Sequence, residues 1–138
     1  MRILIGGDFY VSEEYFDKEL INNNIIELFK NSEFNILNLE TPIGLNFKTN
    51  LNKLLKVGPH LITGVKIFSF LKKLNINLVT LANNHIMDYG VEAFNNTLDL
   101  CRINNISYVG VGKDLSSASE PVILEKKGIK ICVVNFCE

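Results

Sequence analysis

The feature that most limits the fold of this chain is an alternation of two periodicities along the sequence. Short apolar runs rich in β-branched residues, as in buried strands, alternate with longer stretches whose apolar residues recur every three or four positions, as in amphipathic helices. The predicted strands are residues 2–6, 34–39, 77–82 and 106–111, and the predicted helices are residues 12–30, 64–74 and 91–104. Strands that alternate with helices build an α/β fold. The sequence therefore predicts a mostly parallel sheet with flanking helices.

Two segments lie outside this alternation. Residues 41–60 contain two prolines and two glycines and have no steady period, which predicts a long loop. Loops of this length in compact domains are often functional. Residues 122–136 predict a β-hairpin that turns at Lys127 and Gly128. At the start of the first predicted helix, Ser12 is the expected N-cap.

The length, net charge and apolar runs of the chain exclude several classes of protein. The 138 residues suffice for one domain, whereas two would be cramped. The formal net charge of −1 gives no broad basic surface for nucleic acid or an anionic membrane. No apolar run approaches the ~18 residues needed to span a bilayer, and the apolar run at the N-terminus is too short for a signal peptide. We therefore expect a soluble, cytoplasmic protein, with any membrane association made through partner proteins.

Motifs for several other kinds of site are absent from the sequence. The three cysteines, Cys101, Cys132 and Cys137, are odd in number and lack CxxC spacing, so neither a disulfide framework nor a zinc knuckle is expected. Cys101 and Cys132 are expected in the core. Neither a GxGxxG nor a Walker loop follows a predicted strand, which argues against an α/β nucleotide-binding protein. With only His60 and His85, the chain cannot by itself form an imidazole-rich metal site.

Three predicted strands end on polar residues that suit metal or proton chemistry. These residues are Asp8 after the first strand, Glu40 after the second, and Asn83, Asn84 and His85 after the third. Because the carboxyl ends of parallel strands meet at one edge of a sheet, where ligands of α/β proteins bind, we expect these side chains to converge. Carboxylate and amide oxygens are hard ligands, and an imidazole exchanges protons near neutral pH. Two divalent ions ~4 Å apart could activate a water for phosphoryl transfer at such a site.

An ordered set of short motifs is shared with a known family. The motifs are Gly7-Asp8, Asn38-Leu39-Glu40-Thr41-Pro42, Leu81-Ala82-Asn83-Asn84-His85 with Asp88 and Gly90, Gly110-Val111-Gly112, and the stretch from Ala118 to Pro121. Through them the chain resembles the poly-gamma-glutamate capsule synthesis (CapA-like) family, a branch of the calcineurin-like metallophosphatase superfamily. The resemblance implies the N-terminal part of a metallophosphatase-like α/β/β/α sandwich.

The resemblance also implies roles for the residues at the strand ends. Asp8 corresponds to the first metal-binding aspartate, Glu40 to the bridging carboxylate and Asn84 to the metal-binding asparagine. His85 corresponds to the histidine that acts on the leaving group, and it is the predicted catalytic residue. The implied cofactors are divalent metal ions, Mn²⁺, Zn²⁺ or Fe, with two in the complete domain.

Two departures from the family pattern bear on activity. Typical superfamily members begin with an Asp-x-His pair, whereas here Asp8 is followed by Phe9 and Tyr10, so one imidazole ligand is absent. Members also continue well past this length, with further histidine motifs. We therefore expect residues 1–138 to form a single domain that is the N-terminal portion of a longer CapA-like domain, with weak metal affinity and no turnover on its own.

The function implied by the resemblance is capsule or poly-gamma-glutamate synthesis, with metal-dependent phosphoester hydrolysis as the chemistry. The implied partners are an anionic polymer or phosphoester substrate and other capsule synthesis proteins. The alternative is a non-catalytic assembly or polymer-binding subunit that has kept the fold. The absent histidine of the Asp-x-His pair favours this alternative.

Several residues near the predicted site are expected to have structural roles and not catalytic ones. Asn83 is expected to shape its loop, because asparagine tolerates a left-handed backbone. Asp88 is expected to cap the following helix, with a contact to His85 as the alternative. His60 is expected to be exposed, with a substrate contact as the alternative. Most of the many asparagines are interpreted as a product of AT-rich codon usage.

Overall fold

The computed structural model of the protein describes residues 1–45 and 53–137. Its strands, in chain order, are β1 (Ile3–Phe9), β2 (Phe34–Leu39), β3 (Ile43–Gly44), β4 (Thr63–Gly64), β5 (Leu78–Thr80), β6 (Ser107–Val109), β7 (Val122–Lys126) and β8 (Ile129–Val133). Its α-helices are α1 (Asn23–Lys30), α2 (Ile67–Lys73), α3 (Gly90–Ile103) and α4 (Leu115–Ala118). Among the described residues, no helix is both long and apolar enough to cross a membrane.

The main sheet is parallel and has the strand order β1-β2-β5-β6. Side chains on a strand alternate between the two faces, and both faces of this sheet are apolar. On one face Leu37 and Val79 pack with residues of α1, α2 and α3. On the other face Ile36 and Leu78 pack with Leu124 of the β7-β8 hairpin. The predicted α/β fold with a mostly parallel sheet is therefore confirmed, with helices on one face and the hairpin on the other.

Strand β1 differs from the predicted buried strand over residues 2–6. It continues to Phe9 as an edge strand, and Ile5 is 78% exposed. Its pairing with β2 shifts register between Ile5 and Asp8, where Gly6 lies against the side chain of Leu37 and leaves no room for a Cβ. Asp8 consequently lies within the last residues of the strand, beyond the irregularity, and does not follow a strand that ends at Gly6.

The first predicted helix, residues 12–30, was wrong over most of its length. A 3₁₀ turn spans Glu13–Tyr15, and α1 begins only at Asn23. Ser12 precedes the 3₁₀ turn without capping it, whereas the side chain of Asn22 accepts a hydrogen bond from the Asn24 N–H at 2.8 Å and caps α1. Consecutive asparagines compete for backbone hydrogen bonds and favour helix ends over helix interiors, so the asparagine run divides the segment.

The predicted loop over residues 41–60 contains a short strand. Strand β3 pairs in parallel with β4, and the Ile43 N–H donates to the Thr97 hydroxyl of α3 at 2.7 Å. The part of this prediction that covers residues 46–52 lies outside the described residues. Because β4 occupies Thr63–Gly64, α2 begins at Ile67, three residues later than predicted.

The remaining predictions hold with small changes at the ends of elements. Strands β5 and β6 and helix α3 differ from the predicted ranges by one or two residues at their ends. The hairpin is confirmed, and its turn residues Lys127 and Gly128 have φ angles of 53° and 76°, as a tight two-residue hairpin turn requires. Helix α4, which Asp114 and Ser117 cap reciprocally, was not predicted.

The cysteines divide between core and surface. Cys101 is fully buried on α3, as predicted, and burial raises the pKa of its thiol to about 12. Cys132 is exposed, so its predicted place in the core is wrong. It pairs with Ile123 on the hairpin face that points away from the sheet, because Leu124 and Ile131 occupy the inner face.

A left-handed asparagine follows the last turn of both α2 and α3. After α2 and α3, Asn75 and Asn105 have φ angles of 50° and 56°. The N–H of the next residue then returns to the last helical turn, from Ile76 to the Leu71 carbonyl and from Ile106 to the Cys101 carbonyl, each at 2.9 Å. This is the Schellman arrangement, in which glycine is the usual left-handed residue and asparagine the common substitute.

We therefore expect Asn105→Ala to lower the free energy of unfolding by about 1 kcal/mol, because alanine is strained in the left-handed region. Asn105→Gly should change it by less than about 0.5 kcal/mol, because glycine adopts this conformation without strain. Urea unfolding followed by far-UV circular dichroism measures both. Equal losses for the two variants would show that backbone conformation at Asn105 does not limit stability.

Candidate functional site

The site lies at the carboxyl edge of the parallel sheet, beyond β1, β2 and β5. Asp8 is near the end of β1, Glu40 follows β2 directly, and His85 lies in the loop between β5 and α3. Parallel pairing of the three strands brings these loops to the same edge.

His85 is held by Asp88. The His85 side chain is buried in the loop, and the Asp88 side chain is completely buried. Asp88 Oδ2 lies 2.7 Å from His85 Nδ1. An ionised carboxylate only accepts hydrogen bonds, so Nδ1 carries the hydrogen and donates it to Asp88. A histidine held in this way has a defined ring orientation and leaves Nε2 available.

Asp88 was expected to cap α3, and this expectation is wrong. The N-cap position belongs to Tyr89, which makes no side-chain capping bond. The Asp88 carboxylate turns inward to His85 instead, as the alternative interpretation predicted. A carboxylate can reach either partner from this position in the chain, and only the packing of the loop decides between them.

Asp88 also binds the segment that precedes β4. Its Oδ1 forms an ion pair with Lys56, its Oδ2 accepts the Leu61 N–H at 2.8 Å, and its backbone carbonyl accepts the Leu54 N–H at 3.0 Å. Burial raises the pKa of Asp88, but the hydrogen bonds from Lys56, His85 and the Leu61 N–H outweigh it and hold the pKa below its ordinary value. The carboxylate is therefore charged at neutral pH.

Glu40 lies on the other side of the imidazole. Its Oε1 is 4.0 Å from His85 Nε2, and its side chain is 27% exposed. The imidazole thus has one carboxylate on Nδ1 that is buried and one near Nε2 that solvent reaches. Nε2 is therefore the nitrogen that a ligand can approach.

A chain of hydrogen bonds joins Asp8 to this part of the site through Asn38. Asn38 Nδ2 donates to Asp8 Oδ1 at 2.6 Å, and Asn38 Oδ1 accepts from Thr80 at 3.1 Å and from Asn83 Nδ2 at 3.3 Å. Asn83 Oδ1 in turn accepts the His85 N–H at 3.0 Å. Asn83 thus shapes the loop through its side chain, which also donates to a β2 carbonyl. Sequence reasoning did not single out Asn38 for such a role.

Unlike Asp8, Glu40 and His85, the predicted metal ligand Asn84 makes no side-chain hydrogen bond or ion pair with the described residues, and its side chain is exposed. In residues 1–45 and 53–137, no three His, Cys, Asp or Glu side chains form a group that could hold a metal ion. Metal binding by Asp8, Glu40 and Asn84 therefore stays a prediction.

His60 is not simply exposed, as expected, but half-buried against the loop of the site. Its Nε2 lies 2.6 Å from the Leu54 carbonyl oxygen, and its ring meets Tyr89 edge-on with centroids 6.2 Å apart. These contacts join the segment that carries Lys56 to the start of α3. Lys56 itself was missed, because no spacing or motif in the sequence relates it to a histidine 29 residues away.

The Gly110-Val111-Gly112 motif packs tightly and carries no polar side chain into the site. Gly110 has a φ angle of 91° and lies against Asn135, whose Oδ1 accepts the Ala82 N–H at 2.6 Å. A Cβ at Gly112 would meet the backbone of α4. Both glycines therefore allow close approach of the chain behind the site.

Comparison with known proteins agrees with the resemblance in the sequence. The family described as "Bacterial capsule synthesis protein PGA_cap" matches residues 3–138. The chain is 31% identical over 114 residues to "PGA biosynthesis protein CapA" of Bacillus subtilis (strain 168), covering 80% of this chain and 29% of that protein. It is 26% identical over 129 residues to "Capsule biosynthesis protein CapA" of Bacillus anthracis, covering 88% of this chain and 31% of that protein. The chain thus spans about three tenths of the length of these curated relatives.

Proposed function

The chain belongs to the bacterial capsule synthesis protein family PGA_cap, and we propose that it forms part of a phosphoester-hydrolysing site in a longer protein of capsule synthesis. The observation that supports this chemistry best is the buried Asp88–His85 pair at the carboxyl edge of the sheet. Asp88 holds Nδ1 at 2.7 Å, and Nε2 faces Glu40 at 4.0 Å. An oriented imidazole with one accessible nitrogen is the arrangement that general acid–base catalysis needs.

In the proposed reaction His85 moves a proton at Nε2. Asp88 keeps the ring in place and stabilises the positive charge when Nε2 is protonated. Because Nε2 carries a lone pair in the resting site, it first takes up a proton from solvent. His85 then donates this proton to the leaving oxygen of the phosphoester as the P–O bond breaks, and the attacking water, which forms the new P–O bond, releases its own proton to solvent. The Glu40 carboxylate stabilises the protonated imidazole from the other side, and the burial of His85 limits competing contacts with water.

The metal ions implied by the resemblance have no step in this scheme, because no three His, Cys, Asp or Glu side chains of the described residues form a group that could hold one. A bound divalent ion would polarise the phosphoryl oxygen and activate water. Of this chain's residues, Asp8, Glu40 and Asn84 have the oxygen donors that Mn²⁺ prefers. We propose that they bind such ions together with ligands from outside the described residues.

The direct test is an assay of the complete gene product with Mn²⁺ and bis(p-nitrophenyl) phosphate. We expect hydrolysis, and we expect the Glu40→Gln, His85→Gln double variant to lower kcat by about 100-fold or more. His60→Gln is the matched control, because it removes the other imidazole of this chain without removing a group of the Asp88–His85–Glu40 set. Its kcat should stay within about threefold of the wild type. Unchanged activity in the double variant would rule out the mechanism.

A non-catalytic role in assembly or polymer binding is the second candidate. The absence of a histidine two residues after Asp8 favours it. In this case the complete gene product would bind no Mn²⁺ in a calorimetric titration and hydrolyse no phosphodiester. Deletion of the gene would nevertheless abolish the capsule, and the Glu40→Gln, His85→Gln variant would restore it.

A further inference from the structure

The Lys56 ammonium contacts both His85 and Asp88, and the proposed reaction gives it no role. It lies in the segment 53–61, which is fastened to Asp88 by the Leu54 and Leu61 N–H groups. These two backbone contacts carry the Lys56 side chain inward, where only 19% of it remains exposed. Its ammonium pairs with Asp88 Oδ1 and lies 3.1 Å from His85 Nδ1.

The three groups cannot all hydrogen-bond to one another. An ammonium only donates and a carboxylate only accepts, whereas Nδ1 does one or the other. If Nδ1 accepted from Lys56, its lone pair would face Asp88 Oδ2 at 2.7 Å, which is repulsive. With the hydrogen on Nδ1, His85 donates to Asp88 Oδ2 and the Lys56 ammonium forms its ion pair with Oδ1, so each positive or donating group faces a separate oxygen of the carboxylate.

This arrangement requires Asp88 to remain an ionised acceptor although its side chain is fully buried. A buried carboxyl group without a positive neighbour tends to take up a proton. A protonated Asp88 would donate to Nδ1 and leave the hydrogen of the imidazole on Nε2. The positive charge of Lys56 opposes protonation of Asp88. The pKa of Asp88 is accordingly lowered, although burial alone would raise it.

We propose that Lys56 is a positioning residue that keeps His85 in the tautomer with its hydrogen on Nδ1 and its lone pair on Nε2. Lys56 acts on the Nδ1 side of the ring, whereas a substrate approaches Nε2 near Glu40. Its effect on turnover rests on the proposed function of His85. Its effect on the tautomer does not, because the tautomer exists without substrate.

The test is nitrogen NMR of the imidazole in the complete gene product labelled with ¹⁵N-histidine. The His85 signals are assigned by their loss in His85→Gln. In the wild type we expect a protonated Nδ1 and an unprotonated Nε2. Lys56→Met should move the hydrogen to Nε2 or protonate both nitrogens, and Lys56→Gln should do the same, because it keeps a donor but has no charge. Lys56→Arg should restore the wild-type signals.

Lys53→Met is the matched control. Lys53 lies in the same segment, but its ammonium is 5.5 Å from the centre of the Tyr89 ring and pairs with neither Asp88 nor His85. It should leave the His85 signals unchanged. A wild-type spectrum with hydrogen on Nε2 would overturn the proposal even if no Lys56 variant folded. Wild-type signals in both Lys56→Met and Lys56→Gln would also overturn it.

Turnover gives a second readout. If the complete gene product hydrolyses a phosphodiester, Lys56→Met should lower kcat by about 10- to 100-fold with KM unchanged, the range typical of residues that orient a functional imidazole. Lys56→Arg should recover most of this loss. A change confined to KM would overturn a positioning role. An inactive wild type whose tautomer still depends on Lys56 would refute the proposed function but support the inference.

Discussion

Asp88→Asn is expected to lower the free energy of unfolding by about 3 kcal/mol. The carboxylate is fully buried and holds Lys56, His85 and the Leu61 N–H together. An amide cannot neutralise Lys56, so the variant leaves a largely buried charge without its partner. Since domains of this kind have about 5–15 kcal/mol of stability, the loss is a large fraction of the total. Urea unfolding followed by far-UV circular dichroism measures it.

Asp99→Asn is the matched control for this change. Asp99 pairs with Arg102 at 2.7 Å, but both side chains are more than half exposed. Exposed pairs contribute little, and we expect a loss below about 0.5 kcal/mol. A similar loss for the two variants would mean that the Asp88 contacts do not hold the 53–61 segment against the site.

The difference between the wild type and Asp88→Asn should also depend on pH. The pKa of Asp88 is lower in the folded protein than its ordinary value, because the bonds from Lys56, His85 and the Leu61 N–H outweigh the effect of burial. Such a group contributes stability above its unfolded pKa and loses that contribution as the pH falls through its folded pKa. The difference should therefore be constant near neutral pH and shrink in acid, below the ordinary carboxyl pKa.

Asn35→Leu is expected to lower the free energy of unfolding by about 3 kcal/mol as well, although the two side chains have the same branching and the same number of heavy atoms. Asn35 is fully buried in β2, and its Nδ2 donates to the Phe29 carbonyl at 2.8 Å and the Asn75 carbonyl at 2.9 Å. It thereby ties the ends of α1 and α2 to the sheet. Leucine would leave the Asn75 carbonyl and a neighbouring Leu74 carbonyl without this donor, and each unpaired buried group costs about 1–3 kcal/mol.

Asn104→Leu is the control for Asn35→Leu. The Asn104 side chain also donates to a helical carbonyl, that of Leu100 at 2.8 Å, but it is exposed to solvent. Water can replace this bond, so we expect a loss below about 1 kcal/mol. The same urea experiment compares the two variants. Equal losses would show that the buried bonds of Asn35 do not tie the helices to the sheet.

The structural roles of individual asparagines could not be predicted from the sequence. The number of asparagines suggested codon usage. No local pattern separates Asn35 from the exposed Asn31 and Asn104, and the motif that contains Asn38 did not indicate its hydrogen bonds. Yet Asn35 joins two helix ends to β2, and Asn38 joins Asp8 to Thr80 and Asn83. These roles depend on partners up to 45 residues away in the chain. Only the packed structure determines which of these amides are buried and bonded.

The order of strands and helices could be predicted, because each element buries an apolar face whose period is local. The prediction of one helix over residues 12–30 was wrong because it used apolar spacing alone. The spacing fits a helix throughout, but the side chains of Asn22 and its neighbours compete for backbone hydrogen bonds, and this local effect outweighs the spacing. Strand β3 was missed because a two-residue strand has no period to detect, and its partner β4 lies about twenty residues later.

By itself, the sequence determined the α/β class, the family, and the placement of Asp8, Glu40 and His85 at strand ends, since these depend on residue types and spacing along the chain. The tertiary structure alone decided how these residues meet. It placed Asp88 on His85 instead of at the start of α3, brought Lys56 to the same carboxylate, and left Asn84 in solvent. The physical reason is that a buried charge requires partners, and these come from segments far apart in the sequence.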